Sequence, residues 1–436
     1  MEWYVAFFLL MGSFFALVLF GVPVVFSFFG VNIIFLGYFM GSAGFELFID
    51  GIYGSLSNFV LIPITLFILM GELLFRTGIA MRMIEALDTW LSEVPGRLAL
   101  LAVGSGALMA TLSGASIGTT AMMTRTLAPM MQEKGYGTTL SIGPLLGSGG
   151  LAILIPPSAL GVILAVIANV SVGKLLVAII IPGLLLALTF VIYVIYKSMT
   201  DPTAAPRYAA EKIPLKQRII LTCKYVLPLS IVIFLVIGSV FLGIATPTEA
   251  AALGTLGAFG LTVAYGSFSW KILKEALIST LRTSVMVLSI LAASQAFTQL
   301  LAYTGATQEL VAWASALDMS PMMLVILMHL ITLILGGPLG GVPLIMMTVP
   351  IFLPIIISLG YDPIWFCVAM LINVELAQIT PPFGILLYVV KGILPQIQFG
   401  AIVRAALPII MCNLVVMGLI IAFPALSLWL PMQMIE

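Results

Sequence analysis

The segment LAILIPPS at residues 151–158 reappears 225 positions later as LAQITPPF at residues 376–383. Each copy places two adjacent prolines inside a long apolar segment. Each proline removes an amide donor and frees the carbonyl one turn earlier, so two in succession are expected to kink or break a helix. In hydrocarbon, such backbone is tolerated only where it is buried in protein or lines a wet cavity. Two broken helices at a fixed spacing therefore predict a duplicated unit.

The repeat extends upstream of the prolines. Gly135-Tyr136 aligns with Gly360-Tyr361 at the same offset, and Thr77-Gly78 aligns with Thr304-Gly305 at an offset of 227. Each half also has a turn rich in small residues before its proline pair, at 111–120 and 336–343. The chain is therefore expected to contain two copies of a helical hairpin followed by a broken helix.

Composition places this repeat in a membrane. Of 436 residues, 62% are hydrophobic and 8% are charged, whereas a soluble domain has about 25% charged residues. Stretches without Asp, Glu, Lys or Arg, such as 3–45, 135–173 and 319–361, are long enough for one or two spans of about 20 residues. A soluble enzyme is excluded, and seventeen basic residues balanced by seventeen acidic ones argue against a nucleic-acid partner.

The distribution of Lys and Arg predicts the topology. Cytoplasmic loops are enriched in these residues, which places the basic segment 197–225 in the cytoplasm. Threading outward from it gives an all-α polytopic membrane protein with about ten transmembrane helices and two re-entrant hairpins, 97–134 and 321–360. The hairpins enter from opposite sides and both termini lie outside. Inverted repeats with broken helices are typical of secondary transporters. As a membrane protein, the chain is expected to contact lipid.

The two kinds of broken backbone suit two kinds of ligand. Freed carbonyls and Ser or Thr hydroxyls are hard oxygen ligands for a small cation, and the starts of half-helices attract an anion. Each half therefore offers a Na+ site, and the two halves together frame an anionic substrate. The alternative is that the prolines and glycines only kink and pack helices.

Several motifs resemble one transporter family. Ser113-Gly114-Ala115-Ser116 leading to Pro129, followed by Ile155–Ser158, resembles the large membrane subunit of tripartite ATP-independent periplasmic (TRAP) transporters, the DctM-like family. Gly71-Glu72, Ala245–Ala250 and Thr380–Gly384 resemble it too. The resemblance implies an elevator-type, Na+-coupled importer of a small organic acid in the bacterial inner membrane. It also implies two partners, a small four-helix membrane subunit and a periplasmic substrate-binding protein.

The family pattern divides the chain into scaffold, arms and transport domain. Scaffold helices are expected at 1–76, 171–196, 226–266 and 283–320, the last ending in a periplasmic loop, with a C-terminal helix at 393–436. Each hairpin with its broken helix belongs to the transport domain, 97–170 and 321–392, and 197–225 is the cytoplasmic linker. Segments 77–96 and 267–282 have apolar residues at helical spacing with charges opposite. They fit either paired interfacial arms or ordinary amphipathic loop helices.

Carried onto this chain, the family implies two Na+ sites without an organic cofactor. Each site lies between a hairpin turn and the following proline break. The first would use Ser113, Gly114, Ser116, Gly118, Pro156 and Ser158. The second would use Gly337, Gly340, Gly341, Thr380 and Pro382, with more carbonyl ligands because this turn lacks the serines.

Five residues are candidates for the substrate: Ser116, Thr119, Arg125, Asn373 and Glu375. Arg125 is a cation inside an apolar segment, where charge is costly and commonly functional, but it also fits a snorkelling role. Glu375 fits an ion ligand, a proton carrier or an internally satisfied group.

Other functions compete with the TRAP assignment. One is a stand-alone Na+/dicarboxylate symporter or Na+/H+ antiporter of the same inverted-repeat architecture. Another is a scaffold subunit without transport of its own, which the duplicated broken helices disfavour because a scaffold needs no unwound backbone.

Overall fold

The computed structural model describes residues 2–57, 59–91, 94–113, 116–201, 203–206 and 213–434, with no side-chain description at 60, 80, 110, 112 and 113. Within these ranges every regular element is helical. The α-helices are α1 (Trp3–Leu19), α2 (Val24–Met40), α3 (Ser42–Leu56), α4 (Ile62–Arg76), α5 (Ile79–Asp88), α6 (Arg97–Ser113), α7 (Ser116–Glu133), α8 (Thr138–Leu154), α9 (Ala159–Ile167), α10 (Val172–Ala178), α11 (Ile180–Thr200), α12 (Leu215–Leu221), α13 (Leu227–Phe241), α14 (Pro247–Ala264), α15 (Trp270–Tyr303), α16 (Ala306–Ala316), α17 (Pro321–Leu339), α18 (Gly341–Ser358), α19 (Pro363–Ile379), α20 (Ile385–Ile393), α21 (Phe399–Ala422) and α22 (Ala425–Leu428). Short 3₁₀ turns lie at Phe59–Leu61 and Pro431–Gln433, and a π-helical turn lies at Thr222–Val226.

Both halves of the chain follow the same order of helices. The hairpin α6–α7 precedes the broken helix α8–α9, and the hairpin α17–α18 precedes the broken helix α19–α20. Gly135 and Gly360, which end the two hairpins, have φ values of 75° and 79°. Glycine is the default residue in this left-handed region. The repeated hairpin and broken helix are therefore present, while their inverted membrane orientation stays a prediction.

The second amphipathic arm differs from the expectation. Residues 267–282 do not form a separate helix, because most of them belong to the 34-residue helix α15, which continues to Tyr303. Its sequence contains neither Gly nor Pro, so nothing interrupts the hydrogen-bond ladder between the arm and the following apolar segment. In the first half, the amphipathic helix α5 occupies the place in the order that α16 has in the second half. By the order of elements, α5 thus corresponds to α16, and residues 267–282 lead into α15; the interfacial role of both segments stays a prediction.

The linker expected at 197–225 is partly helical. α11 runs into it as far as Thr200, and α12 begins at Leu215. Hydrogen bonds from Thr203 and Lys197 lower the pKa of Asp201, just after α11, to about 2. Arg207 and Lys212, two of the basic residues behind the cytoplasmic assignment, lie outside the described residues.

The helices are long and apolar enough for a membrane protein. Among the described residues, six helices have the length and composition to cross a membrane, or eight if each of two bent pairs is one span. α1 and α19 are apolar but have 17 residues each, about 26 Å of helix against a hydrocarbon thickness of about 30 Å. The chain is an integral membrane protein, and the count of ten spans stays a prediction.

The packing brings the two repeats together around α8 and α19. Every residue from Leu140 to Leu154 and from Trp365 to Ile379 is buried. After each break, the short helix packs against the hairpin of the other half: α9 packs against α18, and α20 packs against α7. α4 and α15 lie alongside, contacting α9 and α18 respectively as well as each other. This exchange brings the starts of α7, α9, α18 and α20 to one place.

Candidate functional site

Both proline pairs interrupt a helix as predicted. α8 ends at Leu154 and α9 begins at Ala159 after a bend of 44°, and α19 and α20 are separated in the same way by residues 380–384. Ile155, Ser158 and Thr380 have extended backbone. The peptide bonds Pro156–Pro157 and Pro381–Pro382 are both cis. The breaks thus have the same local form in both halves.

The second hairpin turn lies against the second break. Gly340 joins α17 to α18 with a φ of 74°, a conformation that suits glycine and few other residues. A Cβ added at Gly337 would lie 2.8 Å from the Cβ of Phe383. The glycines therefore allow the turn to approach the proline break more closely than side chains would.

The two hairpin turns border one cavity of about 340 Å³. Its lining includes first-turn residues of four helices and a facing wall from α4 and α15. These residues are Ile68, Gly71, Glu72, Phe75, Ser116, Ile117, Gly118, Ala159, Leu160, Ile163, Thr283, Met286, Val287, Gly340, Gly341, Val342, Gln378 and Ile385. We refer to it as the central cavity. Most of these side chains are apolar or absent, so its polarity comes from backbone and a few side chains.

Four helix starts converge on the central cavity. Ser116 begins α7, Ala159 begins α9, Gly341 begins α18 and Ile385 begins α20, and all four line the cavity. The first amides of a helix lack partners within the helix and carry the positive end of its dipole. Four such ends around one apolar space form an environment suited to a small anion.

The facing wall carries an ion-pair network. Glu72 lines the cavity; its Oε2 accepts from Arg76 Nε at 2.8 Å and its Oε1 accepts from Ser279 Oγ at 2.6 Å. Arg76 Nη1 also pairs with Glu275 Oε2 at 3.1 Å. Glu72 and Arg76 are four residues apart on one face of α4, and their contacts with Glu275 and Ser279 join α4 to α15. Arg76 is shared by two carboxylates, so the three groups together carry one net negative charge at this wall.

Several of the proposed Na+ ligands lie at the cavity or beside it. Ser116, Gly118, Gly340 and Gly341 line it directly. Ser158 accepts a hydrogen bond from Gly161 N at 3.1 Å as the cap of α9. Gly114 and the side chain of Ser113 lie outside the described residues. Candidate residues from both halves therefore lie around one cavity, and their role as Na+ ligands stays a prediction.

Thr380 is the hydroxyl candidate of the second break. Its Oγ1 donates to Leu376 O at 2.6 Å, and this bond holds the hydroxyl at the end of α19. A hydroxyl that donates one hydrogen bond keeps its acceptor lone pairs. The arrangement is therefore compatible with a cation ligand as well as with a simple helix end.

Four of the five substrate candidates do not line the central cavity. Arg125 is exposed on α7, and Thr119 is buried one turn from its start. Asn373 donates from Nδ2 to His329 O at 2.6 Å, so its amide joins α19 to α17. Glu375 is also buried away from the cavity. Only Ser116 lies in the cavity wall.

Glu375 instead marks the contact between the repeats. It is fully buried, and neither carboxyl oxygen has a hydrogen-bond partner among the described residues. A Cβ added at Gly150 would lie 1.5 Å from Glu375 Oε1. Since the repeat offset is 225, Gly150 is the counterpart of Glu375 in the first half. The carboxyl group occupies space that this glycine leaves open.

The sequence analysis missed Gln378 as a site residue and assigned Glu72 no part in a cavity. Gln378 belongs to the last turn of α19 and lines the central cavity. The sequence signal that could have identified Gln378 was its position in the repeated proline segment, two residues before Thr380. Among the described residues, no group of three or more His, Cys, Asp or Glu side chains is arranged to hold a metal ion.

Comparison of the sequence with known families gives one match over nearly the whole chain. The profile described as "Tripartite ATP-independent periplasmic transporter, DctM component" matches residues 11–426. The C4-dicarboxylate TRAP transporter large permease protein DctM of Pseudomonas aeruginosa is 32% identical over 87% of this chain and 88% of that protein. The sialic acid TRAP transporter large permease protein SiaM of Vibrio cholerae is 30% identical over 94% and 95%.

Two solved transporters share the fold at low sequence identity. The YdaH transporter of Alcanivorax borkumensis superimposes with a TM-score of 0.62, at 14% identity over 88% of this chain and 90% of that one. MtrF of Neisseria gonorrhoeae gives a TM-score of 0.64 at 13% identity over 88% and 85%. The family match and the permease relatives exclude an enzyme. The chain therefore belongs to the DctM component of the tripartite ATP-independent periplasmic transporters, as a large permease subunit of that family.

Proposed function

We propose that this chain imports a small organic acid across the bacterial inner membrane by Na+-coupled transport, with the central cavity as its substrate site. The observation that carries the proposal is the convergence of four helix starts on that cavity. One helix start typically stabilises an anion by about 0.3–1 kcal/mol. Four of them would contribute about 1–4 kcal/mol toward holding a carboxylate, and the described lining contains no lysine or arginine.

Na+ coupling is proposed from the backbone breaks beside the cavity. In the first half, Ser116 and Gly118, directly after the hairpin turn, line the same cavity as Ala159, which directly follows the proline break. In the second half, Gly337 approaches Phe383 next to the proline pair. Neutral oxygen atoms from turns and breaks are suitable Na+ ligands. A cation bound on either side of the cavity would also lower the cost of placing a carboxylate between the two sites.

The partners and orientation follow from the family. We propose that the chain acts with a small four-helix membrane subunit and a periplasmic substrate-binding protein, and that both termini face the periplasm. The two hairpins would move with α8 and α19 as an elevator against α4 and α15. Relatives are described as permeases for C4-dicarboxylates and sialic acid, which supports an organic acid as the substrate class.

Na+ binding is testable without knowing the substrate. A ligand that binds only the folded state stabilises it by RT ln(1 + [L]/Kd), about 2.7 kcal/mol at 100 times Kd. Purified protein should therefore unfold at a higher temperature in NaCl than in KCl of equal ionic strength. Equal stability in both salts would contradict the Na+ sites.

An uptake assay distinguishes a TRAP permease, which needs its partners, from a stand-alone carrier. Proteoliposomes containing the chain with its small subunit should accumulate acid only with an inward Na+ gradient and the substrate-binding protein. Full uptake by this chain alone would favour the stand-alone Na+/dicarboxylate symporter. Uptake that is unchanged when K+ replaces Na+ would contradict the coupling ion.

A further inference from the structure

Gln378 is a largely buried polar side chain in the wall of the central cavity. It is 5% exposed, and its amide makes no hydrogen bond with the described residues. The residue lines the central cavity, so the exposed part of its carboxamide faces that space. A buried amide without a partner costs free energy unless a ligand or water completes its hydrogen bonds.

The amide also lies beside a helix start. A Cβ added at Gly341, the first residue of α18, would lie 3.3 Å from Gln378 Nε2. An anion held by the first amides of α18 would therefore have the carboxamide next to it. If the anion is a carboxylate, a polar group on its adjacent carbon would be within reach of the carboxamide.

Two other polar side chains of the lining are hydroxyls: Thr283 Oγ1 already donates to Ser279 O at 3.2 Å, and Ser116 lies at the start of α7. The walls near the helix starts are apolar, including Ile117, Leu160 and Val342. On the facing wall, both Glu72 oxygens already accept hydrogen bonds. A carboxamide is different, because it has two N–H donors and a carbonyl acceptor free to bind.

We propose that Gln378 is the specificity residue of the central cavity and that it recognises a hydroxyl or oxo oxygen on the carbon adjacent to the substrate carboxylate. The inference rests on the proposed function and adds the substrate class, small 2-hydroxy or 2-oxo carboxylic acids. The N–H groups donate to an oxo oxygen, whereas a hydroxyl group pairs with either side of the carboxamide. An acid without this oxygen makes one hydrogen bond fewer to the carboxamide, and it should therefore bind about tenfold more weakly.

The test compares acids that differ by one oxygen. Binding of propionate, lactate and pyruvate, and of succinate and malate, is measured by calorimetry on the purified full-length chain in NaCl. With the natural residue, each oxygenated acid should bind about tenfold more tightly than its parent, the size of one hydrogen bond together with the unpaired amide. In Gln378→Leu this ratio should fall to about twofold or less.

Two further variants keep the test decisive. Gln299→Leu makes the same substitution in a second cavity, of about 550 Å³, and should leave the tenfold ratio unchanged. Gln378→Glu preserves the size of the side chain but adds a negative charge, and should weaken binding of all five acids. If Gln378→Leu folds poorly, an unchanged affinity in Gln378→Glu overturns the proposal by itself.

The outcomes distinguish the inference from the function beneath it. If acids bind but the parent and oxygenated forms bind alike, Gln378 does not read the adjacent oxygen, and only this inference fails. The inference also fails if Gln378→Leu keeps the tenfold preference for the oxygenated acids. If none of the five acids binds in NaCl, the central cavity is not a carboxylate site, and the proposed function fails with it.

Discussion

Replacing Gly150 by alanine should destabilise the protein because the new methyl group meets a buried carboxyl. A Cβ at this position would lie 1.5 Å from Glu375 Oε1, 1.9 Å from its Cδ and 2.5 Å from its Oε2. Glu375 is fully buried, so its side chain has no open space to move into. Either the carboxyl group or the helices α8 and α19 must shift.

The magnitude follows from two opposing terms. Extra methyl groups in a packed interior typically cost about 1–3 kcal/mol, and replacing Gly by Ala within a helix returns about 0.5–1 kcal/mol. The expected net loss is about 1–2 kcal/mol, which raises the unfolded fraction roughly five- to thirtyfold. Gly104→Ala in α6 is the matched control, because a Cβ there meets nothing within 4 Å.

The assay is the fraction of folded protein remaining after stepwise heating in detergent, measured by size-exclusion chromatography. Gly150→Ala should unfold at a lower temperature than the natural protein, and Gly104→Ala should not. In a Glu375→Ala background, Gly150→Ala should lose its effect, because the atoms it meets are absent and contacting sites couple. Equal destabilisation with and without the Glu375 side chain would refute the contact between the repeats.

Three further expectations test the site and the topology. Ser116→Ala and Thr380→Ala should each raise the Na+ concentration for half-maximal thermal stabilisation several-fold, since a lost hydroxyl ligand is worth about 1 kcal/mol; an unchanged Na+ dependence would remove that side chain from the ligands. Arg125→Gln should leave acid binding within about twofold, because Arg125 is exposed on α7 and absent from the cavity lining; a tenfold loss would return Arg125 to the substrate candidates. In a Cys-free background, a cysteine at Lys174 should react with a membrane-impermeant reagent from the periplasm, and one at Lys216 only after permeabilisation; the reverse pattern would contradict the predicted orientation.

The sequence was sufficient for the features that depend on local chemistry. Tandem prolines at 156–157 and 381–382 remove two successive amide donors, so the residues alone predicted an interruption of the helix at both places. The hairpins followed from two segments too long for one span with glycines in the middle. These features also carried the family resemblance, which the match over residues 11–426 confirmed.

The tertiary structure decided which face of each helix meets which neighbour. α19 is buried on all sides from Trp365 to Ile379, so its sequence contains no polar stripe from which its orientation could be read. Val374 and Gln378, one turn apart, face Gly341 of the second hairpin, whereas Glu375, rotated by about 100°, faces Gly150 of α8. The carboxyl group of Glu375 therefore lies at the contact between the repeats, whereas the amide of Gln378 lies at the cavity. That choice depends on how α8 and the hairpin pack around α19, which is a property of the assembled helices and not of any segment by itself.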